Sequence, residues 1–248
     1  MIVAIIPARY TSSRFPGKPL ANICGKPMIQ WVYESSKKVP ELSAVYVATD
    51  DNRIYDAVIS FGGQALMTSE NHSSGTDRVA ECAEILGLAD DDVVINVQGD
   101  EPLISPNSIR SLVNLFKGPN VYMGTLVKAI DNEEDLQNPN VVKAIFDKNN
   151  NAIYFSRYCV PYVRDNSISD SVIHYKHIGM YGYRKSFLVQ LSRLPKSSLE
   201  CAESLEQLRI IENGFTIKVA KTDFQTIGVD TPEQLAEVEK IIRGETNV

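Results

Sequence analysis

Met1-Ile-Val-Ala-Ile-Ile-Pro-Ala-Arg9 contains an apolar run, Ile2–Ile6, that is cut at Pro7 and followed at once by a cation. Five apolar residues stopped by a proline are too few for a helix and fit a buried strand. Similar short runs recur at Ala44–Ala48, Gln64–Met67 and Val93–Val97. A longer amphipathic pattern follows each run: Met28 to Val39, Asn52 to Phe61, Thr76 to Leu86 and Pro106 to Phe116. Short buried strands alternating with helices predict an α/β fold on a largely parallel sheet. Two helix starts are signalled locally. Ser105-Pro106 offers a capping hydroxyl before a proline at the first helical position, and Ser74-Gly75-Thr76-Asp77 resembles a capping box.

Beyond Gly118 the rhythm changes. Val121–Ala129, Val141–Phe146, Ala152–Phe155 and His174–Arg184 read as strands, with a turn at Asp147-Lys-Asn-Asn-Asn151. The expectation is one domain over residues 1–248 carrying a β-rich insertion at about 118–184. A helix then opens at Ser197-Ser-Leu-Glu200 and runs to about Glu212, where Asn213-Gly214 ends it. Strands near Phe215–Ala220 and Thr226–Val229 follow, and a last helix opens at Thr231-Pro-Glu-Gln234.

Composition narrows the function classes. Among 248 residues, 25 lysines and arginines face 31 aspartates and glutamates, a formal net charge of −6. An acidic chain is poorly suited to nucleic acid or to an anionic membrane surface. No apolar run approaches the ~20 residues that span a bilayer, and Ile2–Ile6 is too short for a signal peptide. Cys24, Cys82, Cys159 and Cys201 form no C-x-x-C pair, which reads as reduced thiols in a cytoplasmic protein.

Against the overall charge, the first 33 residues hold no acid but contain Arg9, Arg14, Lys18 and Lys26. Most of these cations lie just past the first strand, the edge at which open α/β sheets bind ligands. Cations, the hydroxyls of Tyr10-Thr-Ser-Ser13 and backbone N–H groups suit a polyphosphate, although a solvated basic loop is the competing reading. Neither Gly17-Lys18 nor Gly25-Lys26 completes a Walker A loop, no G-x-G-x-x-G occurs, and no G-x-S-x-G accompanies the three histidines. Two aspartates end buried strands: Asp100 in Val93-Val-Ile-Asn-Val-Gln-Gly-Asp100 and Asp230 in Thr226-Ile-Gly-Val-Asp230. That places both at the ligand edge, where hard carboxylates beside phosphates suit Mg²⁺. Helix capping is the competing role for either one.

Ile6-Pro-Ala-Arg-Tyr10, Ser13-Arg-Phe-Pro-Gly-Lys-Pro-Leu20, Gly25-Lys-Pro-Met28, Val47-Ala-Thr-Asp50 and Ser74-Gly-Thr-Asp-Arg78 continue into Asn96-Val-Gln-Gly-Asp-Glu-Pro102 and Tyr154-Phe-Ser-Arg157. His177-Ile-Gly-Met-Tyr-Gly-Tyr183, Leu205-Glu-Gln-Leu-Arg209 and Val229-Asp-Thr-Pro-Glu233 complete the series. Over essentially the whole chain, and in this order, the sequence resembles the 3-deoxy-manno-octulosonate (Kdo) cytidylyltransferases, the CMP-Kdo synthetases. The resemblance implies an α/β nucleotide-diphospho-sugar transferase fold, a Rossmann-like, mostly parallel sheet with helices on both faces. It also implies an enzyme that joins Kdo to CTP, giving CMP-Kdo and pyrophosphate for lipopolysaccharide synthesis, with Mg²⁺ as cofactor and a homodimer formed by the β-rich insertion. It assigns Ala8, Arg9, Ser13, Arg14, Lys18, Ser74, Arg78 and Gln98 to the nucleotide. Asp100 and Asp230 go to the metal, and Arg157, Arg164, His177, Tyr181, Glu206 and Gln207 to the sugar. Arg9, Lys18, Asp100 and Asp230 would carry the chemistry.

Without the resemblance, His177 on a strand is more simply a hydrogen-bonded structural histidine. Glu206 and Gln207 read as polar residues of an amphipathic helix, and Trp31 as core. The rival functions are the same chemistry on an 8-amino Kdo analogue or a sialic acid, and a non-catalytic nucleotide-binding protein.

Overall fold

A computed structural model describes residues 1–11, 14–72, 74–165, 167, 171–224 and 227–245. The first strand, β1 (Ile2–Ala8), is followed by a single 3-10 turn at Lys18–Leu20, the two-residue strands β2 (Asn22–Ile23) and β3 (Lys26–Pro27), and α1 (Met28–Lys37). Next come β4 (Ala44–Thr49), α2 (Asn52–Ser60), β5 (Ala65–Met67), α3 (Gly75–Ile85), β6 (Val93–Asn96) and α4 (Pro106–Leu115). The caps are local. Ser74 accepts from the Asp77 N–H and Ser105 from the Asn107 N–H, with Pro106 at the first helical position.

The middle of the chain holds β7 (Met123–Ala129), α5 (Glu133–Gln137), β8 (Lys143–Phe146), β9 (Ala152–Ser156) and β10 (Tyr175–Arg184). It ends with α6 (Lys185–Ser192), α7 (Ser198–Glu203), α8 (Leu208–Glu212), β11 (Lys218–Lys221) and α9 (Pro232–Ile242). The strands of the main sheet run in the order β11-β7-β10-β6-β1-β4-β5. Pairing is parallel from β6 through β1 and β4 to β5 and between β7 and β11; β10 is antiparallel to both neighbours. β1 lies between β4 and β6, so the chain leaves β1 in one direction and later returns on the other side. That reversal opens a crevice at the carboxyl ends of β1 and β6.

Both faces of the sheet are covered. Ala4, Ile6, Val47 and Ile95 pack with α1, α2 and α4, while Val3, Ile5, Val94 and Tyr183 pack with α3, α6 and α8. Burying both faces accounts for the uninterrupted apolar character of β1 and β6.

The β-rich segment is not a separate lobe. β7 and β10 belong to the central sheet, and β8 and β9 extend from it through β10. Several elements depart from the sequence reading. The helix expected from Ser197 to Glu212 is two helices broken at Ser204, which takes a left-handed conformation at φ 52°. The strand expected at Thr226–Val229 is irregular backbone over its described residues, Ile227–Val229, although Val229 donates to the Asp100 carbonyl at 2.8 Å. α6 was not anticipated, because eight residues give the period of Phe187, Leu188 and Leu191 little room to show. The same brevity hid α5 and the β2–β3 pair.

Candidate active site

After β1, Tyr10 and Gly17 meet through the backbone. Gly17 donates to the Tyr10 carbonyl at 2.8 Å and adopts φ 72°. A Cβ there would sit 2.9 Å from the Tyr10 ring, so both the left-handed turn and the close approach require glycine. The chain therefore enters the 3-10 turn with Lys18 aimed back at the sheet edge. There its ammonium donates to Asp100 Oδ2 at 2.6 Å, Asp230 Oδ1 at 2.8 Å and the Val229 carbonyl at 3.2 Å. Arg14 pairs with the other oxygen of Asp230 at 2.8 Å.

Neither aspartate caps a helix: Ser105 caps α4 and Thr231 caps α9. The competing structural role is thereby removed, and the two carboxylates converge on one cation. Burial opposes the charge on Lys18, but Asp100 and Asp230 outweigh it and hold the ammonium above its ordinary pKa. Burial alone would raise Asp230; Lys18 and Arg14 outweigh it and leave this carboxyl below the usual range.

These residues form one wall of a cleft of about 440 Å³, within the range of small-molecule sites. Ala8, Arg9, Arg14, Lys18, Ser74, Arg78, Gln98, Asp100 and Asp230 all line it. Ser13, the remaining nucleotide-side residue, lies outside the described residues. Arg78 is buried and braced from behind, donating to Thr68 Oγ1 at 2.5 Å and to Asp50 Oδ2 at 2.6 Å. Lys26 is not part of the cleft. It pairs with Glu34 at 2.6 Å and lies over the Trp31 ring, and Trp31 itself is only partly buried.

A second, smaller pocket of about 190 Å³ shares Gly75 and Gln98 with the first. Asn96, Tyr181, Tyr183, Glu206 and Gln207 are among its lining residues. Glu206 and Gln207 reach it because the chain breaks at Ser204; a continuous helix would not deliver them by the same route. Burial raises the pKa of Glu206, with the Thr76 hydroxyl pulling the other way. Two buried polar atoms in this pocket have no hydrogen-bond partner: Asn96 Oδ1, an acceptor, and Gln207 Nε2, a donor. Such atoms are costly unless a ligand completes them.

His177 stands beside this pocket rather than in its lining, with ring centroids 5.4 Å from Tyr181 and 4.9 Å from Phe155. The Thr125 hydroxyl donates to the Met180 carbonyl at 2.9 Å, so it accepts from His177 Nε2–H at 2.8 Å. Burial pushes the imidazole pKa down to about 3 and keeps it neutral.

Arg157 and Arg164 are not among the lining residues of either pocket. Arg157 donates from Nε to the Glu203 carbonyl at 2.6 Å and bonds the Pro139 carbonyl at 3.0 Å, tying the end of β9 to the break after α7. Arg164 is exposed. Among the described residues no cluster of three or more His, Cys, Asp or Glu could hold a metal, and no helix is long and apolar enough to cross a membrane.

A cation-lined cleft with a paired carboxylate wall stands at the switch point of an α/β sheet, where such folds bind ligands. Comparison with known proteins decides the class. The cytidylyltransferase family model matches residues 3–222. The chain belongs to the cytidylyltransferase family. The 3-deoxy-manno-octulosonate cytidylyltransferase of Syntrophus aciditrophicus is 51% identical, over 98% of each chain. The 8-amino-3,8-dideoxy-manno-octulosonate cytidylyltransferase of Shewanella pealeana is 53% identical, over 94% of this chain and 95% of that one. A solved CMP:2-keto-3-deoxy-manno-octonic acid synthetase complexed with CTP superposes at a TM-score of 0.92 with 43% identity, covering 99% of both chains. A 4-diphosphocytidyl-2C-methyl-D-erythritol synthase from Anaerococcus prevotii, 14% identical with a TM-score of 0.62, shares the fold.

Within this cytidylyltransferase, sequence reasoning missed Asp50 and Thr68, which hold Arg78, and Asn96, whose open acceptor faces the second pocket. Val47-Ala-Thr-Asp50 and Asn96-Val-Gln-Gly-Asp-Glu-Pro102 contained two of these as unassigned polar ends of apolar strands. His72 also lines the larger cleft and meets Glu81 at 2.5 Å.

Proposed function

We propose that this cytidylyltransferase joins Kdo to CTP, releasing pyrophosphate and giving CMP-Kdo for lipopolysaccharide synthesis. The supporting observation is the pair of connected pockets. One is lined by phosphate-matching cations, and the other presents an open donor and an open acceptor to a polyhydroxylated ligand. Gly75 and Gln98 stand where the two meet, which is where the reacting atoms of a nucleotide and a sugar would come together.

In this reading the anomeric hydroxyl of Kdo attacks the α-phosphorus in line. The new O–P bond forms as the bond to pyrophosphate breaks. Arg9, Arg14 and Lys18 offset the charge of two anions held side by side, and Ser74 with the braced Arg78 holds the nucleoside end. Glu206, Gln207, Asn96 and Tyr181 orient the sugar, with neutral His177 supporting the Tyr181 ring. Arg157 is placed to fix the chain break that delivers Glu206, and Arg164 is assigned to the sugar on family resemblance alone.

Asp100 and Asp230 fit Mg²⁺. They are hard oxygen donors already converging on one cation, and this ion uses few protein ligands beside phosphates. When bound, it would shield the reacting anions and acidify the attacking hydroxyl. We also assign the enzyme to the cytoplasm and to a homodimer. The dimer is motivated by exposed Ile153, Tyr158, Tyr162 and Ile173 in the 118–184 segment. A monomeric mass by light scattering at micromolar concentration would count against it.

The same transfer to an 8-amino analogue is the second reading, motivated by the Shewanella relative. Pyrophosphate release from CTP and Mg²⁺ with Kdo, the 8-amino sugar or a sialic acid as acceptor separates the cases. We expect turnover with Kdo, and a clear preference for the amino sugar would replace it as substrate. Release with none of them would overturn the transfer altogether.

A further inference from the structure

Lys18 occupies the position that a divalent ion would need. Its ammonium has three protons and three acceptors, on Asp100, Asp230 and Val229, so its hydrogen-bonding capacity is filled without any ligand. The side chain is only 16% exposed, and its backbone lies between left-handed Gly17 and buried Pro19. A divalent cation and this ammonium compete for the same carboxylate oxygens and repel each other at that distance.

The same side chain lines the nucleotide cleft beside Arg9 and Arg14, where a triphosphate would offer it other anionic acceptors. We infer that Lys18 is the resident counter-cation of the Asp100–Asp230 pair, excluding divalent metal until nucleotide phosphates draw its ammonium away. Metal and nucleotide therefore load together. Each raises the other's affinity, because a coupling free energy is reciprocal. Arg14 also touches Asp230, but with a side chain 66% exposed it is the weaker occupant. This inference rests on the assignment of the two aspartates to the metal.

The test is Mn²⁺ binding to the intact, nucleotide-free protein, followed by the electron paramagnetic resonance signal of free Mn²⁺. Lys18→Met keeps the stem and removes the charge, and it should bind Mn²⁺ at least tenfold more tightly than the unaltered protein. Lys18→Arg should stay within a few-fold of the unaltered protein, and adding Asp100→Asn to Lys18→Met should abolish the gain. Equal affinity in Lys18→Met and the unaltered protein, with loss on Asp100→Asn, would overturn the inference while leaving the metal assignment intact. Binding that ignores Asp100→Asn in every background would overturn both. If Lys18→Met does not fold, the ¹⁵N ammonium resonance of Lys18 in the unaltered protein decides. It should stay in place with Mg²⁺ alone and move when CTP and Mg²⁺ are added together; movement with Mg²⁺ alone contradicts the inference.

Discussion

His177 carries two roles that the sequence left as alternatives. Its Nε2–H donates to Thr125 and its ring lies between Phe155 and Tyr181, so it is a structural histidine and also a support for the second pocket. Its partner Thr125 lies 52 positions away in sequence, which no local pattern reveals. The buried ring sets a pH signature. Its pKa is about 3 in the fold against an ordinary 6.5, so between those values the unfolded chain binds the extra proton. Stability is fully present above pH 6.5 and falls as the pH drops, by up to about 1.4 kcal/mol per unit from this group. In urea titrations between pH 6.5 and 5, His177→Phe should show a shallower decline than the unaltered protein, by about that slope. Parallel slopes would mean that the imidazole protonates in place. The cations at Arg9, Arg14 and Lys18 were legible because they stand against an acid-free background, whereas the open atoms of Asn96 and Gln207 depend on burial that only packing creates.

Helix starts were the most readable elements. Ser105, Ser197 and Thr231 all cap as their spacing predicts, the last two as full capping boxes. The break between α7 and α8 was not readable, because Ser204 is neither Gly nor Pro and the amphipathic pattern runs through it. Long-range partners impose it. Glu203 accepts from Ser156 at 2.8 Å and from the Arg157 N–H at 2.9 Å, while Arg209 bridges back to Glu200 at 2.6 and 2.7 Å. The left-handed residue is a measurable cost. Ser204→Gly should stabilise the protein by up to about 1 kcal/mol, and Ser204→Val should destabilise it by more than 1 kcal/mol. If both variants melt alike, the break is not held in that conformation in solution. A second unreadable feature is the β10 irregularity. The register against β7 shifts between Ile178 and Tyr181, and Thr125 bonds the carbonyls of Ile178 at 3.3 Å and Met180 at 2.9 Å within it. His177, Tyr181 and Tyr183 form one aromatic row across it, with the two tyrosines in the pocket lining and His177 beside it.

At the scale of the molecule, the strand order places the loop after β1, the turn after β6 and the segment before α9 at one sheet edge. Arg9, Arg14, Lys18, Gln98, Gly99, Asp100 and Asp230 therefore meet in one cleft. The convergence of Asp100 and Asp230 was predictable because each follows an apolar run that reads as a strand. The way they meet was not, since the described part of the second run, Ile227–Val229, is irregular and is tied down by the Val229–Asp100 backbone bond. Under the proposed assignment Arg78, held by Asp50 and Thr68, sits at the nucleoside end of the cleft and limits the room for a larger base. Purine nucleotides should therefore turn over at least tenfold less efficiently than CTP in a direct competition, and equal use of ATP would contradict that assignment. The central claim is that Asp100 and Asp230 act together in catalysis. Since Ser105 and Thr231 do the capping, Asp100→Asn and Asp230→Asn should each change stability by less than about 1 kcal/mol. The measurement that tests the claim most directly is pyrophosphate release by these two variants and by the double variant, at limiting Mg²⁺ and with folding checked by thermal melting. Each single change should lower turnover by roughly a hundredfold or more, and the double change should cost far less than the product of the two, as for residues that act as one unit. Near-normal turnover in either folded variant, or losses that simply multiply, would contradict the claim.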